Sequence, residues 1–111
     1  MAVLTVSTID YDGLDVESLY VAAAADQEFA NDGRTFMHIK NGAGAPMTCT
    51  ITTAGTYLGL AIADPVITIG ATTGEQMVGP FPKGIYNASD GNIDITWSST
   101  TTVTVAVFKL P

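Results

Sequence analysis

Apolar and polar residues alternate along three stretches of the chain. Apolar residues at 47, 49 and 51, at 93, 95 and 97, and at 103, 105 and 107 are separated mainly by Thr, with Asp94 and Ala106 as the exceptions. Because the spacing is two residues, the apolar side chains lie on one face of an extended strand and the intervening side chains lie on the other. Thr, Val and Ile are β-branched and fit a pleated surface better than a helix. We therefore predict three half-buried strands with a Thr-rich outer side.

Weaker patterns predict further strands at residues 4–7, 35–40, 66–69 and 75–78, and a short one before Ala25. Turn-forming residues lie between them, as in Asn31-Asp32-Gly33 and Asp90-Gly91-Asn92. The alanine-rich segment 21–30 is open to a second interpretation as one or two helical turns. The sequence predicts an all-β fold, either a β-sandwich or a partly closed β-barrel of about seven to nine mainly antiparallel strands.

The length of 111 residues is that of one domain. A short apolar strand followed by the acidic stretch 10–17 precedes the regular pattern. We therefore expect an N-terminal arm over residues 1–17 and a β body over residues 18–111, with the arm docking to another protein or to a neighbouring subunit.

Charge and composition disfavour several classes of partner. The net charge is −7, and the four cations are scattered rather than clustered. Because nucleic-acid binding and attraction to anionic lipid both require grouped cations, we expect neither a nucleic-acid nor a membrane partner. Only 14% of the residues are charged while 47% are hydrophobic, so we expect some apolar or Thr-rich surface to be covered by a partner.

The candidate chemical groups do not form a recognisable catalytic set. Cys49 alternates with threonines and is expected to be a buried core residue rather than a nucleophile. The acidic run from Asp10 to Glu17 fails the calcium-loop pattern, because Leu14 occupies the fifth position and Gly13 the fourth. His38 is the single histidine and has no nucleophile or orienting acid nearby in sequence. We therefore predict no enzyme, no cofactor and no metal site.

Three places remain as candidate protein contacts, and the first is the N-terminal arm described above. If residues 37 and 39 face the core, the side chains of β-strand residues 36, 38 and 40 share the other face, where they would line a subunit contact. The rigid segment Gly79-Pro80-Phe81-Pro82 leaves the sheet, and Phe81 is expected to cap the core or to serve as a docking tip. The candidate contact residues are Val3, Leu4, Val6, Phe36, His38, Lys40, Pro80, Phe81 and Pro82.

Five features between residues 29 and 110 occur together. They are Asn31-Asp32-Gly33-Arg34-Thr35 leading into a strand that ends in Lys40-Asn41, the Thr-alternating strand 47–53, Gly79-Pro80-Phe81-Pro82, Tyr86-Asn87 and the closing Val-alternating strand 102–110. In this combination residues 29–110 resemble small structural proteins of tailed bacteriophages. The resemblance implies a capsid decoration (cement) protein, which is commonly β-rich and often trimeric, and it carries no catalytic residues.

From this resemblance we expect a virion protein that is made in the host cytoplasm and binds the outer surface of the major capsid protein lattice as a homo-trimer, stabilising the lattice. Two alternatives remain open from the sequence. One is a tail, neck or fibre-tip module. The other is a carbohydrate-binding or adhesin β-sandwich, for which Tyr57 and Tyr86 would be the candidate binding residues.

Overall fold

The computed structural model describes residues 2–111, except for the side chain of Tyr57. Its secondary structure is almost entirely β. The strands are β1 (Ala2–Val3), β2 (Val6–Thr8), β3 (Val21–Ala22), β4 (Asp26–Ala30), β5 (Thr35–Asn41), β6 (Met47–Ile51), β7 (Thr56–Tyr57), β8 (Leu60–Ala61), β9 (Val66–Ile69), β10 (Gly74–Val78), β11 (Asn92–Trp97) and β12 (Val103–Lys109). A 3-10 turn covers Glu17–Leu19, and one short helix, α1, covers Lys83–Tyr86.

Two sheets form the body of the protein. The first sheet has the order β1-β4-β11-β6-β9, and the second has the order β10-β5-β12-β2, with β3 also paired to β12. Among the described residues, seven of the nine strand pairings are antiparallel, and β1–β4 and β2–β12 are the parallel ones. The all-β prediction is confirmed, and of its two forms the structure is the β-sandwich and not a closed barrel.

The chain passes from one sheet to the other at nearly every connection in the body. Strands β3, β5, β10 and β12 belong to one sheet, and strands β4, β6, β9 and β11 belong to the other. Together they form two four-stranded antiparallel sheets in which β6 and β9 are the sequential strands that stay in one sheet. This is the strand arrangement of a jelly roll, an eight-stranded double-sheet fold. Strands β1 and β2 are additions at its edges.

The core lies between the sheets and is made of the residues that the alternation predicted to face inward. Cys49, Ile93, Ile95, Val105 and the other inward-facing apolar residues of β6, β11 and β12 are almost completely buried there. Trp97 also faces the core, where its indole Nε1–H donates to the side-chain oxygen of Gln27 at 2.9 Å. The predictions that Cys49 and Trp97 are core residues are confirmed.

The alanine-rich segment does not form helical turns. Residues 21–22 form β3 and residues 26–30 form β4, with Gln27 and Phe29 pointing into the core. The period of two in Gln27, Glu28 and Phe29 fits a strand between β1 and β11, and tertiary pairing outweighs the helix preference of the alanines.

Three motifs of the phage resemblance meet at one end of the sandwich. The Asn31 amide donates through Nδ2 to the carbonyl of Phe81 at 3.0 Å and to Oδ1 of Asn87 at 2.7 Å. Asn87 in turn donates to the carbonyls of Asn31 and Gly91. Phe81 lies beneath this network with its ring 5.8 Å from that of Phe29. These motifs therefore join the turn before β5 to the connection between β10 and β11.

Candidate functional site

The predicted contact residues of β5 lie together on one outer face. Met37 and Ile39 are buried between the sheets, and Phe36, His38 and Lys40 point to the other side of the strand. The predicted division of β5 into an inner and an outer face is confirmed. Strand β5 is central in its sheet, so this face continues across both of its neighbours, β10 and β12.

The remaining predicted contact residues are distributed over other parts of the molecule. Leu4 and Phe81 belong to the core, and Val6 packs against it from β2. Val3 is 67% exposed at the edge of the first sheet, and Pro80 and Pro82 are exposed on either side of Phe81. The structure thus does not bring the three predicted contact places together.

The segment predicted as an N-terminal arm runs along both sheets. Val3 pairs with Glu28 of β4, and residues 6–8 pair with residues 107–109 of β12. The predicted strand 4–7 is correct only for residues 6 and 7, which belong to β2, since Leu4 turns into the core where the chain crosses from one sheet to the other. Met1 lies outside the described residues. Residues 9–20 then cross over the outer face of the second sheet.

An apolar groove of about 370 Å³ lies between this crossing segment and the sheet. Its floor contains Phe36 and Phe108, whose rings lie 5.8 Å apart on directly paired residues of β5 and β12. Met77 of β10, which is 66% exposed, forms part of the rim. Residues of the crossing segment that line the groove are Ile9, Asp10, Gly13, Leu14, Val16 and Tyr20.

A polar chain of side chains closes one end of the groove. The Tyr20 hydroxyl is hydrogen bonded to Nδ1 of His38, and Nε2 of His38 lies 3.1 Å from a carboxylate oxygen of Glu75. The Lys40 ammonium lies 4.2 Å above the centre of the Tyr20 ring, within the range of a cation–π interaction. This cluster links β5 and β10 to the crossing segment and holds Tyr20 in place over the sheet.

The donors and acceptors available in the cluster set the direction of its hydrogen bonds. A carboxylate can only accept, so Nε2 of His38 donates to Glu75. In a neutral imidazole Nδ1 is then an acceptor, and the Tyr20 hydroxyl donates to it. Burial, followed by the nearby charge of Glu75, raises the pKa of Tyr20 above its ordinary value, which keeps the phenol protonated. With a neutral imidazole the proton order is therefore Tyr20 to His38 to Glu75.

The chemistry of these groups favours a structural role for the cluster. A nucleophilic or basic phenol requires a lowered pKa, and that of Tyr20 is raised. Cys49 lies in the core, where burial raises the pKa of its thiol to about 12. His38 contacts one carboxylate on this half-open face rather than two in a deep pocket. The expectation of no enzymatic activity stays a prediction.

Two further observations concern the described part of the chain. No group of three or more His, Cys, Asp or Glu side chains in residues 2–111 is arranged to hold a metal ion. No helix there is long and apolar enough to cross a bilayer. Of the two tyrosines named for the carbohydrate alternative, Tyr86 is half-buried with its ring 5.5 Å from that of Phe81, and the side chain of Tyr57 lies outside the description.

The outer face of the first sheet has a different character. Its outward residues are mostly Thr and acids, and Glu28 of β4 lies directly opposite Asp94 of β11. Burial raises the pKa of Asp94, and the nearby charges of Glu28 and Asp90 raise it further. Asn92 donates to Glu28 at 3.1 Å and thereby satisfies one of these carboxylates. This face is anionic, and its outward side chains are half-buried or exposed.

Sequence reasoning missed Tyr20, Met77 and Phe108, which line the groove, and Glu75, which lies at its end. Glu75 and Met77 alternate along a predicted strand, and Phe108 continues the outward set of β12, so period-two spacing contains the signal that they lie on one face. Tyr20 carries no such signal, because residues 9–20 have no regular period and their path over the sheet depends on tertiary contacts.

Comparison of the chain with protein-family models, with curated protein sequences and with solved structures finds no match.

Proposed function

We propose that this protein is a bacteriophage virion component, a capsid decoration protein that binds the outer surface of the major capsid protein lattice and stabilises it. The observation that carries the proposal is the difference between the two outer faces of the sandwich. One face is anionic and Thr-rich, and the other carries an open apolar groove. A protein that covers a shell needs one face for protein contacts and one that remains in water.

The fold and the sequence resemblance support the same proposal. Jelly rolls occur among viral capsid and lectin domains, which is a fold-level analogy and not an assignment of function. The resemblance to small phage structural proteins covers the strands of the jelly roll from β4 onward. In the proposed arrangement the face with the groove turns toward the capsid and neighbouring subunits, and the anionic face turns toward solvent.

Contact with a neighbouring subunit on the shell would involve the exposed N-terminal edge. Val3 lies in the edge strand β1 in register with Glu28, so its side chain, which is 67% exposed, borders the anionic face. The aliphatic side chain and the unpaired backbone groups of β1 are suited to a strand or loop of that neighbouring subunit. A trimer on each capsid site remains part of this proposal.

The decisive experiment adds the purified protein to expanded capsids assembled without it and determines their cryo-EM structure. We expect ordered density on the outer capsid surface, with the Asp94 face toward solvent, and capsids that resist heat better than bare ones. Capsids that stay undecorated after the protein is added would contradict the proposal. A cryo-EM structure of native particles with the density on the tail instead would also contradict it. Val3→Asp at the β1 edge, compared with Val66→Asp at the opposite, β9 edge of the same sheet, tests the edge contact, and we expect weaker binding only for Val3→Asp.

A further inference from the structure

A small hairpin outside the two main sheets carries two exposed leucines. Strands β7 and β8 pair only with each other, and Leu58 and Gly59 form the turn between them. Leu58 is 85% exposed and Leu60 is 70% exposed. Solvent exposure of two large apolar side chains on one short hairpin is typical of a contact site. We refer to residues 56–61 as the leucine hairpin.

The backbone of the turn adds a second, independent observation. Both turn residues have positive φ, 52° at Leu58 and 79° at Gly59, as a two-residue hairpin turn of type I′ requires. Asn-Gly fits such a turn without strain, whereas a leucine at the first position is unfavourable. The sequence therefore has a strained and solvent-exposed leucine where asparagine would satisfy the fold. Stability of the single chain does not account for that choice.

Hydrogen bonds at the base of the hairpin attach it to the rest of the protein. Thr53 donates through its backbone N–H at 2.9 Å and through its hydroxyl at 2.7 Å to the same oxygen of Asp64. These hydrogen bonds lower the pKa of Asp64 and keep it ionised. Gly55 donates to the carbonyl of Ile85 at 2.8 Å, which joins the hairpin to α1.

The same chain carries an apolar groove of a size that suits this tip. The groove of about 370 Å³ on the second sheet has about two and a half times the volume of an apolar cavity of about 150 Å³ that holds one benzene molecule. Two leucine side chains have eight carbon atoms beyond Cα, compared with six in benzene. The floor of Phe36 and Phe108 and the rim residue Met77 offer aromatic and thioether surfaces to aliphatic side chains.

Charge also favours this pairing. Copies with a net charge of −7 repel one another, so a contact between copies requires segments without acids. Residues 54–63, which include the leucine hairpin, contain no charged residue. The tip can therefore approach the His38–Glu75 end of the groove without bringing a like charge to Glu75.

We propose that the leucine hairpin of one copy inserts Leu58 and Leu60 into the apolar groove of a second copy of this chain. Because the tip and the groove are different parts of the surface, the contact is head-to-tail, and it produces a closed ring if the rotation between copies closes. The contact is a property of the protein in solution and does not depend on capsid binding, so it can be tested separately from the proposed function.

The test measures self-association by sedimentation equilibrium with two variants that remove one half of the contact each. Leu58→Asn removes the tip and places an asparagine where positive φ is tolerated, so the variant keeps its fold and its thermal stability. Met77→Glu places a charge on the exposed rim of the groove. We expect the Kd of self-association to rise at least about tenfold for each variant, as loss of one buried leucine contact or burial of a charge requires.

The mixture of the two variants gives the sharpest outcome. Leu58→Asn retains an intact groove and Met77→Glu retains an intact hairpin, so an equimolar mixture should form a one-to-one complex although neither variant self-associates. Val66→Thr, which alters an exposed apolar residue on the anionic face, is the control and should associate as the wild type does. Wild-type protein that stays monomeric at millimolar concentration, or variants that associate normally, would overturn the proposal, as would a mixture with no complex.

Discussion

The outer faces of the two sheets follow the same alternation of inward and outward residues but are used differently. On the β4-β11-β6-β9 face, the outward positions hold mostly Thr and acids and are half-buried or exposed. On the β10-β5-β12 face, residues 9–20 cross over the sheet, and Phe108 is buried although it points away from the core. An outward position in a strand is therefore not always a solvent position.

The difference shows where this protein concentrates its interactions. The second face adds a small second layer of packing, in which Tyr20 contacts His38 and Phe108 edge-on. The first face instead places Glu28 opposite Asp94, and the repulsion between these two carboxylates destabilises the sheet. Solvent and the hydrogen bond from Asn92 to Glu28 reduce this repulsion. One outer face thus stabilises the fold and carries a groove, and the other carries repelling charges and is open to water. This difference is consistent with a protein that makes contacts through the first of these faces and exposes the second to solvent.

The largest expected effect of a substitution on either outer face is that of Phe108→Ala. Removing a buried aromatic side chain leaves a cavity beneath the crossing segment, and we expect the free energy of unfolding to fall by about 3 kcal/mol. Thr50→Ala, at an outward position of β6, should change it by less than about 1 kcal/mol. Urea unfolding of both variants measures the difference, and equal losses would show that the two faces are not distinct.

A smaller effect is expected from Tyr20→Phe, which removes the hydroxyl that donates to His38. We expect a loss of about 1 kcal/mol in the free energy of unfolding and faster amide hydrogen exchange in residues 9–20. Tyr11→Phe is the matched control, because Tyr11 is 97% exposed and its variant should be unchanged.

The same pair of variants has a defined pH dependence. The pKa of Tyr20 is raised in the folded state, so its contribution to stability is present below its ordinary value of 10.0 and is lost as the pH rises through the folded pKa. The difference between wild type and Tyr20→Phe should therefore shrink above about pH 10. A difference that grows with pH would mean that the phenol is not protonated in the cluster.

The smallest effect has the opposite sign and lies on the anionic face. Asp94→Asn removes a carboxylate opposite Glu28, and we expect the free energy of unfolding to increase by about 0.5 kcal/mol at pH 7. Because the folded pKa of Asp94 is raised, the gain should vanish as the pH falls through that pKa toward the ordinary value of 3.8. Asp26→Asn, on the same face but opposite Thr96, is the control. Urea unfolding of both variants at pH 7 and at a pH near the ordinary pKa of 3.8 measures the effect.

Much of the strand content could be predicted from alternation, because burial of one face imposes a period of two. Strands β5, β6, β11 and β12 were predicted within a few residues, and so was the outward set Phe36, His38 and Lys40. Strand β4 was missed because its alanines and acids resemble a helix locally. The leucine hairpin was missed because Leu58-Gly59 lacks the asparagine that usually marks a two-residue turn.

The sequence by itself determined that the protein is all-β and which side chains of the regular strands point inward, since those follow from the spacing of apolar residues along each strand. Only the tertiary structure decided which sheet each strand joins, because a turn signal does not distinguish a hairpin from a connection between layers. It also decided that Leu4 and Phe81 are core residues and that Tyr20 reaches His38 and Glu75. The groove exists because a segment without a period folds over a regular sheet, and that contact joins residues far apart in the chain.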